Sequence, residues 1–356
     1  MDGTAIVICD GLFSTASGKT AHGLVRGTDR YRILAVIDAP TAGRDAGDVL
    51  DGARRGIPVH ASIAEALEAL GPAPDFCIVG VATSGGRVTP GLRALLFEAI
   101  DAGMSVVNGL HEFIGDDPAL AAAAAKKGVT LRDVRRTARR TDLHFWEGRI
   151  LSVGAPRIAV LGTDCALGKR TTARFLLEAC RKAGIRTELV FTGQTGWMQG
   201  APFGFIFDSV PNDFVSGELE HAIVSCWETV RPELILLEGQ SSLRNPSGPA
   251  GSEFILSGRA AGVILQHAPG RTHYEGLEEF DLRIPPVSDE IALIHTLGAR
   301  TLAVTLNGEG MRPEALRAEQ QRLRWGLGVP VVRPLEEGVD VLVPVIREFL
   351  ASERKA

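Results

Sequence analysis

At 356 residues the chain exceeds the roughly 100–200 residues of an ordinary domain, so two domains are expected. Hydrophobic residues at 45% and charged residues at 23% match an average globular protein and exclude a disordered or fibrous one. A formal net charge of −5 provides no broad cationic face and argues against a general nucleic-acid binder.

The basic run RRTARR (135–140) reads as a solvated surface or linker, because no aromatic residues interleave it. Cys9, Cys77, Cys165, Cys180 and Cys226 are scattered, with no C-x-x-C pair and no zinc spacing, as expected in a reducing cytosol. The start, MDGTAIVICDG, lacks a basic region and a cleavage site. No apolar run approaches the roughly 20 residues of a membrane span. A cytoplasmic location without a membrane partner is therefore expected.

In chain order, short apolar runs alternate with helix-like stretches: AIVIC (5–9), ILAVID (33–38), DFCIVGVA (75–82), SVVNGL (105–110) and GVTLRDV (128–134). This alternation predicts βαβ units and a parallel sheet. Between them, Ser62 followed by Glu65 forms a capping box before IAEALEAL (63–70). Pro90 opens a second helix that Gly103 closes, and Gly128 ends an alanine-rich third. Periodicity disappears around 135–156 and resumes with RIAVLG (157–162), TELVFTG (187–193), ELILLEG (233–239), GVILQHA (262–268), TLAVTLNG (301–308) and VPVVRPL (329–335). In the last helix, Pro344 is tolerated best in the first turn. The expected fold class is α/β: two doubly wound, mainly parallel-sheet domains in tandem, over 1–145 and 146–356.

The segment GTDCALGKRTT (162–172) follows an apolar strand and precedes an amphipathic helix with Phe175, Leu176 and Ala179 on one face. Glycines let successive amides turn inward, and the helix N-terminus adds positive potential, which together suit phosphate. Five residues separate Gly162 from Gly168, one more than the usual P-loop. The spacing resembles the phosphate loop of dethiobiotin synthetase and its relatives. Those continue with Thr, whereas this chain has Arg170, which replaces a magnesium-binding hydroxyl with a permanent positive charge. The expected cargo is a phosphate or pyrophosphate held without obligatory metal by Gly162, Thr163, Asp164, Cys165, Gly168, Lys169, Arg170, Thr171 and Thr172.

Other polar islands follow strand-like runs, where open α/β sheets bind ligands. TGQTGWMQG (192–200) offers Gln194 and Thr195 for a polar acyl or carboxylate group. LILLEGQSSL (234–243) ends a strand in Glu238, a proton acceptor for a substrate amine or a partner of Lys169, with Gln240 beside it. QHAPGRTHYEG (266–276) contains His267, an acid/base candidate, and Arg271, a planar fork for a carboxylate. Asp213 precedes a helical pattern as a cap or a site residue, and Glu220 within it reads as solvated. GLFSTASGKT (11–20) imitates a phosphate loop with the wrong glycine spacing, and Asp38 has the position of a ribose-binding acid without the glycine fingerprint.

Taken in order, VATSGG (81–86), VNGLHEFIGDDP (107–118), GTDCALGKRTT, TGQTGWM, EGQSSL and QHAPGR resemble one family over nearly the whole chain. It is a group long carried as a domain of unknown function, members of which look like D-glutamate N-acetyltransferases, and the resemblance implies a Rossmann-like α/β domain over 1–145 and a P-loop NTPase-like α/β domain over 146–356. This chain departs from the family pattern at Asn245-Pro246, where a His-Pro pair often stands. The resemblance implies acetyl-CoA as co-substrate and D-glutamate as acceptor. Glu238, Asp213 or His267 then serves as base, Gln194, Thr195, Gln240 and Arg271 contact substrate, and a homo-oligomer is expected. Two other classes stay open. An ATP-dependent ligase or kinase would turn over Mg-ATP without binding acetyl-CoA, and a non-catalytic nucleotide or CoA sensor would bind tightly without turnover.

Overall fold

A computed structural model describes residues 1–354, which divide into two compact units. Met1–Thr137 and the short segment Gln194–Ala201 form the first; Ala138–Gly193 and the chain from Pro202 onward form the second. The division after Thr137 falls inside the polar run where strand and helix periodicity fade.

The first unit contains β1 (Gly3–Ile8), β2 (Tyr31–Ile37), β3 (Val59–His60), β4 (Phe76–Val79), β5 (Ser105–Asn108) and β6 (Leu131–Asp133). They form one parallel sheet in the order β3-β2-β1-β4-β5-β6. Central strands of such a sheet are covered on both faces, which is why β1 reads as an unbroken apolar run rather than an alternation. Helix starts follow local chemistry. Thr89 accepts from Leu92 N ahead of the helix Pro90–Asp101, and Ser62 accepts from Glu65 N ahead of Ile63–Leu70. Glu65 returns its bond to Ala61 N at 2.9 Å, one residue outside the predicted box.

The strand order reverses beside β1, so GLFSTASGKT lies at the switch point where such sheets bind nucleotides. Its backbone is nevertheless used internally. Asp38, 1% exposed, takes Phe13 N at 3.1 Å and Thr41 Oγ1 at 2.6 Å. The ribose-like position of this acid therefore holds the loop itself.

The TGQTGWMQG segment is a short helix, Gln194–Met198, built into the first unit. Met198 is fully buried in that core, Gln199 Nε2 donates to the carbonyls of Gly23 and Gly27 at 2.8 Å each, and the Arg30 guanidinium lies 4.1 Å over the Trp197 ring. Thr195, 5% exposed, faces the Thr20 hydroxyl at 3.3 Å. Only the flanks, Gly193 and Pro202, return to the second unit.

The second unit contains β7 (Arg157–Gly162), β8 (Thr187–Phe191), β9 (Phe203–Gly204), β10 (Leu234–Glu238), β11 (Gly262–His267), β12 (Arg300–Leu306) and β13 (Val331–Val332). All are parallel, in the order β13-β12-β11-β7-β10-β8-β9. Separate apolar clusters fill its two faces, one including Leu219, Ile223 and Phe254, the other Leu176, Ile346 and Phe349. The last helix, Val343–Glu353, keeps Pro344 in its first turn. No helix among the described residues is long and apolar enough to cross a membrane.

Glu220 corrects the reading of a solvated side chain. It is 3% exposed and accepts from Glu147 N at 2.7 Å and Ile150 N at 3.1 Å. Two residues earlier on the helix Asn212–Val230, Glu218 accepts from His144 N and pairs with His144 Nδ1. These carboxylates fasten the segment leading into β7 onto that helix.

Candidate functional site: a phosphate loop facing a buried carboxylate

β7 delivers the chain to Gly162, and the helix Lys169–Lys182 begins seven residues later. The turn requires left-handed backbone at Ala166 (φ +50) and Gly168 (φ +95). At Gly162 an added Cβ would lie 3.1–3.3 Å from the Lys169 side chain, so the glycine leaves room for the lysine to run across the loop. Lys169, 6% exposed, donates from Nζ to the carbonyls of Asp164 at 2.7 Å and Ser241 at 2.8 Å.

The loop is braced from three sides. Thr163 N donates to Gln266 O at 3.0 Å, the Thr163 hydroxyl pairs with His267 Nδ1 at 2.9 Å, and Asn307 Nδ2 donates to Leu167 O at 3.1 Å. Asp164, fully buried, accepts from Asn245 Nδ2 at 2.9 Å, Arg271 Nη1 at 2.9 Å and Glu275 N at 2.8 Å. Arg271 also donates to Cys165 O at 2.8 Å and to Glu309 at 2.6 Å. Burial opposes its charge, but Asp164, Glu309 and Glu275 outweigh that and raise its pKa. The fork that the sequence assigned to a substrate carboxylate is thus engaged by carboxylates of the chain itself.

Thr171 and Arg170 are partly exposed, whereas Thr172 is buried at 2% and donates to Gln266 Oε1 at 2.6 Å. Cys165 places Sγ 3.4 Å from the Ser241 hydroxyl.

Across the loop stands Glu238, 4% exposed at the end of β10. Thr192 N donates to its Oε2 at 3.2 Å, and Gln240 Nε2 donates to the Thr192 hydroxyl at 3.0 Å. An added Cβ at Gly193 would meet Gln240 Nε2 at 3.2 Å and Glu238 Oε1 at 3.3 Å, so glycine keeps this corner open. Burial pushes the carboxyl pKa up; the charges of Arg170 and Lys169 and the Thr192 and Gly193 amides partly oppose it. A carboxylate with raised proton affinity beside two cations can take a proton while an anion is held next to it.

The three base candidates occupy different surroundings. His267 lies under the loop, and burial pushes its pKa down to about 4, which makes it a poor proton acceptor at neutral pH. Asp213 is exposed in the first turn of Asn212–Val230 and makes no hydrogen bond to the loop or to Glu238 among the described residues. Glu238 alone combines burial with the loop's cations. Sequence reasoning missed Asn245, Glu275 and Glu309 as braces. Asn245 carried a signal, since it stands in the EGQSSLRN run, but Glu309 carried none.

A parallel sheet whose strand feeds a glycine loop, a buried lysine and a helix N-terminus defines an α/β domain of P-loop type. The chain belongs to the DUF1611 family: residues 144–343 match its P-loop domain, described as a domain of unknown function, and residues 39–137 match its N-terminal Rossmann-like domain. It is similar to a protein named D-glutamate N-acetyltransferase from Tritonibacter scottomollicae, 28% identical over 76% of this chain and 80% of the relative. A protein of the same name from a Pseudoalteromonas species is 29% identical over 75% and 79%. The crystal structure of a DUF1611 family protein from Anabaena variabilis superposes with a TM-score of 0.87 at 28% identity, covering 97% of this chain and 99% of that one.

Proposed function

We propose that the protein is an N-acetyltransferase that moves the acetyl group of acetyl-CoA to the amino group of D-glutamate or a related D-amino acid. The names of two relatives matched over three quarters of the chain support acetyl transfer. The observation that carries the donor is Arg170, which stands beside Lys169 where a nucleotide hydrolase keeps its magnesium hydroxyl. Coenzyme A carries a pyrophosphate as a handle, and its chemistry occurs at the thioester without phosphoryl transfer. Lys169, Arg170 and the loop amides grip that handle without a metal.

Glu238 takes the proton from the substrate ammonium. The freed nitrogen attacks the thioester carbonyl, loop amides stabilise the developing oxyanion, and as the C–S bond breaks the extra N–H proton of the adduct passes to the sulfur, which leaves as thiol. The test mixes pure protein with acetyl-CoA and a panel of D- and L-amino acids and follows thiol release. Release is expected with D-glutamate; silence across the panel, or magnesium-dependent ATP turnover instead, contradicts the reading.

A further inference from the structure

Three buried polar atoms on the flank of the phosphate loop make no hydrogen bond among the described residues: Ser242 Oγ, Arg244 Nη2 and Glu290 Oε1. Two belong to the loop leaving β10 at Glu238. That same loop supplies the Ser241 carbonyl that holds Lys169 and the Asn245 amide that holds Asp164. Glu290 lies in the first turn of the helix Val287–Thr296 and takes Arg244 Nε at 2.7 Å. Ser242 and Glu290 are each 2% exposed, while the Arg244 side chain remains 28% exposed. Burial raises the Glu290 pKa and the Arg244 charge opposes the rise.

Such a set is costly when left unmade, because each buried group has given up water without a replacement. It contrasts with Arg271, whose nitrogens meet Asp164, Glu275 and Glu309. Arg244 is pinned through one nitrogen only, so its guanidinium is aimed while part of its donor capacity stays unused. A planar fork with unused donors suits a carboxylate, which can bond two donors in one plane. Tyr274, 4% exposed, lies within electrostatic reach of Arg244, Glu290 and Asp164.

We propose that Arg244, oriented by Glu290, binds a carboxylate of the acyl acceptor, so that the loop after Glu238 selects carboxylate-bearing amines. This assignment deepens the acyl-transfer reading and rests on it for the identity of the acceptor. Glu290 acts as a positioning residue: its charge balances the guanidinium before substrate arrives and fixes the direction in which the fork points.

The test is calorimetric titration of the full chain with D-glutamate and with glutarate, each in the presence and absence of CoA. Arg244→Gln alone would strand the Glu290 carboxylate, so the decisive variant is Arg244→Gln with Glu290→Gln, a neutral pair of similar shape. Arg244→Lys, which keeps the charge and loses the fork, accompanies it. The expected result is D-glutamate affinity at least about 10-fold weaker in the double variant, intermediate in Arg244→Lys, with CoA affinity within about twofold of wild type. Equal D-glutamate affinity in wild type and double variant overturns the assignment, as does a wild type that binds neither probe. A loss of affinity in the double variant together with no thiol release in the wild type sinks the acetyl-transfer reading and leaves Arg244 as a carboxylate site.

Discussion

Arg271 Nη1 lies 2.9 Å from Asp164 Oδ2, although 107 residues separate the two in sequence. Asp164 is fully buried, so this contact neutralises a carboxylate inside the loop that carries Lys169. Arg271→Ala keeps the Asn245 and Glu275 donors to Asp164 but removes the counter-charge. Removing one partner of a buried pair costs about 3–5 kcal/mol. With two donors remaining, urea denaturation should show a loss near the low end, about 3 kcal/mol. Acetyl-CoA affinity should fall with it, because Arg271 also holds Cys165 O.

Glu238→Gln separates catalysis from binding. Loss of the proton acceptor should lower acetyl transfer by about 10²–10⁴-fold while acetyl-CoA still binds. Since burial raises the Glu238 pKa, the wild-type rate should rise with pH through that raised value, and the variant should lack this limb. Stability moves the other way. A carboxyl whose folded pKa lies above its unfolded value favours the fold at low pH and loses that contribution as pH rises. Glu238→Gln should therefore melt higher than wild type at neutral pH, and an unchanged or lower melting temperature argues against a strained, buried carboxylate.

His267→Gln should keep most of the acetyl-transfer rate at pH 7.5, because an imidazole that protonates near pH 4 is already neutral there and holds Thr163 rather than moving protons. Its signature is acid stability. With a folded pKa of about 4 against roughly 6.5 unfolded, the neutral histidine contributes at pH above 6.5 and loses about 3 kcal/mol as pH falls towards 4. Unfolding curves at the two ends of that window should converge in the variant relative to wild type.

The strands, the phosphate loop and the helix behind it were legible because each is written in contiguous residues: an apolar run, glycines at fixed spacing, then an amphipathic stretch. The fate of individual charges was not. Arg271 has the chemistry of a substrate clamp in any local reading, and only the approach of Asp164 and Glu309 from distant strand ends shows it engaged. The segment around the helix Gln194–Met198 shows the same limit of local reading. Within it Thr195 faces Thr20, and Gln199, just after the helix, donates to the carbonyls of Gly23 and Gly27, partners that no neighbouring sequence announces. Glu220 read as solvated because the amides it accepts belong to a segment some 70 residues earlier.

Glu220→Ala tests that last contact. It leaves the amides of Glu147 and Ile150 without their acceptor, and an unsatisfied buried donor costs about 1–3 kcal/mol. Limited proteolysis should then cut within residues 138–152 faster than in wild type, with the phosphate loop's CoA affinity little changed.

The most direct measurement of the central claim is thiol release from acetyl-CoA and D-glutamate in EDTA, run beside the same reaction with magnesium and for wild type beside Arg170→Thr. A cradle of Lys169 and Arg170 that grips a diphosphate tail without a divalent ion predicts equal wild-type rates in both buffers and a clearly raised KM for acetyl-CoA in the variant. Activity that vanishes in EDTA, or a variant whose KM for acetyl-CoA is unchanged, contradicts it.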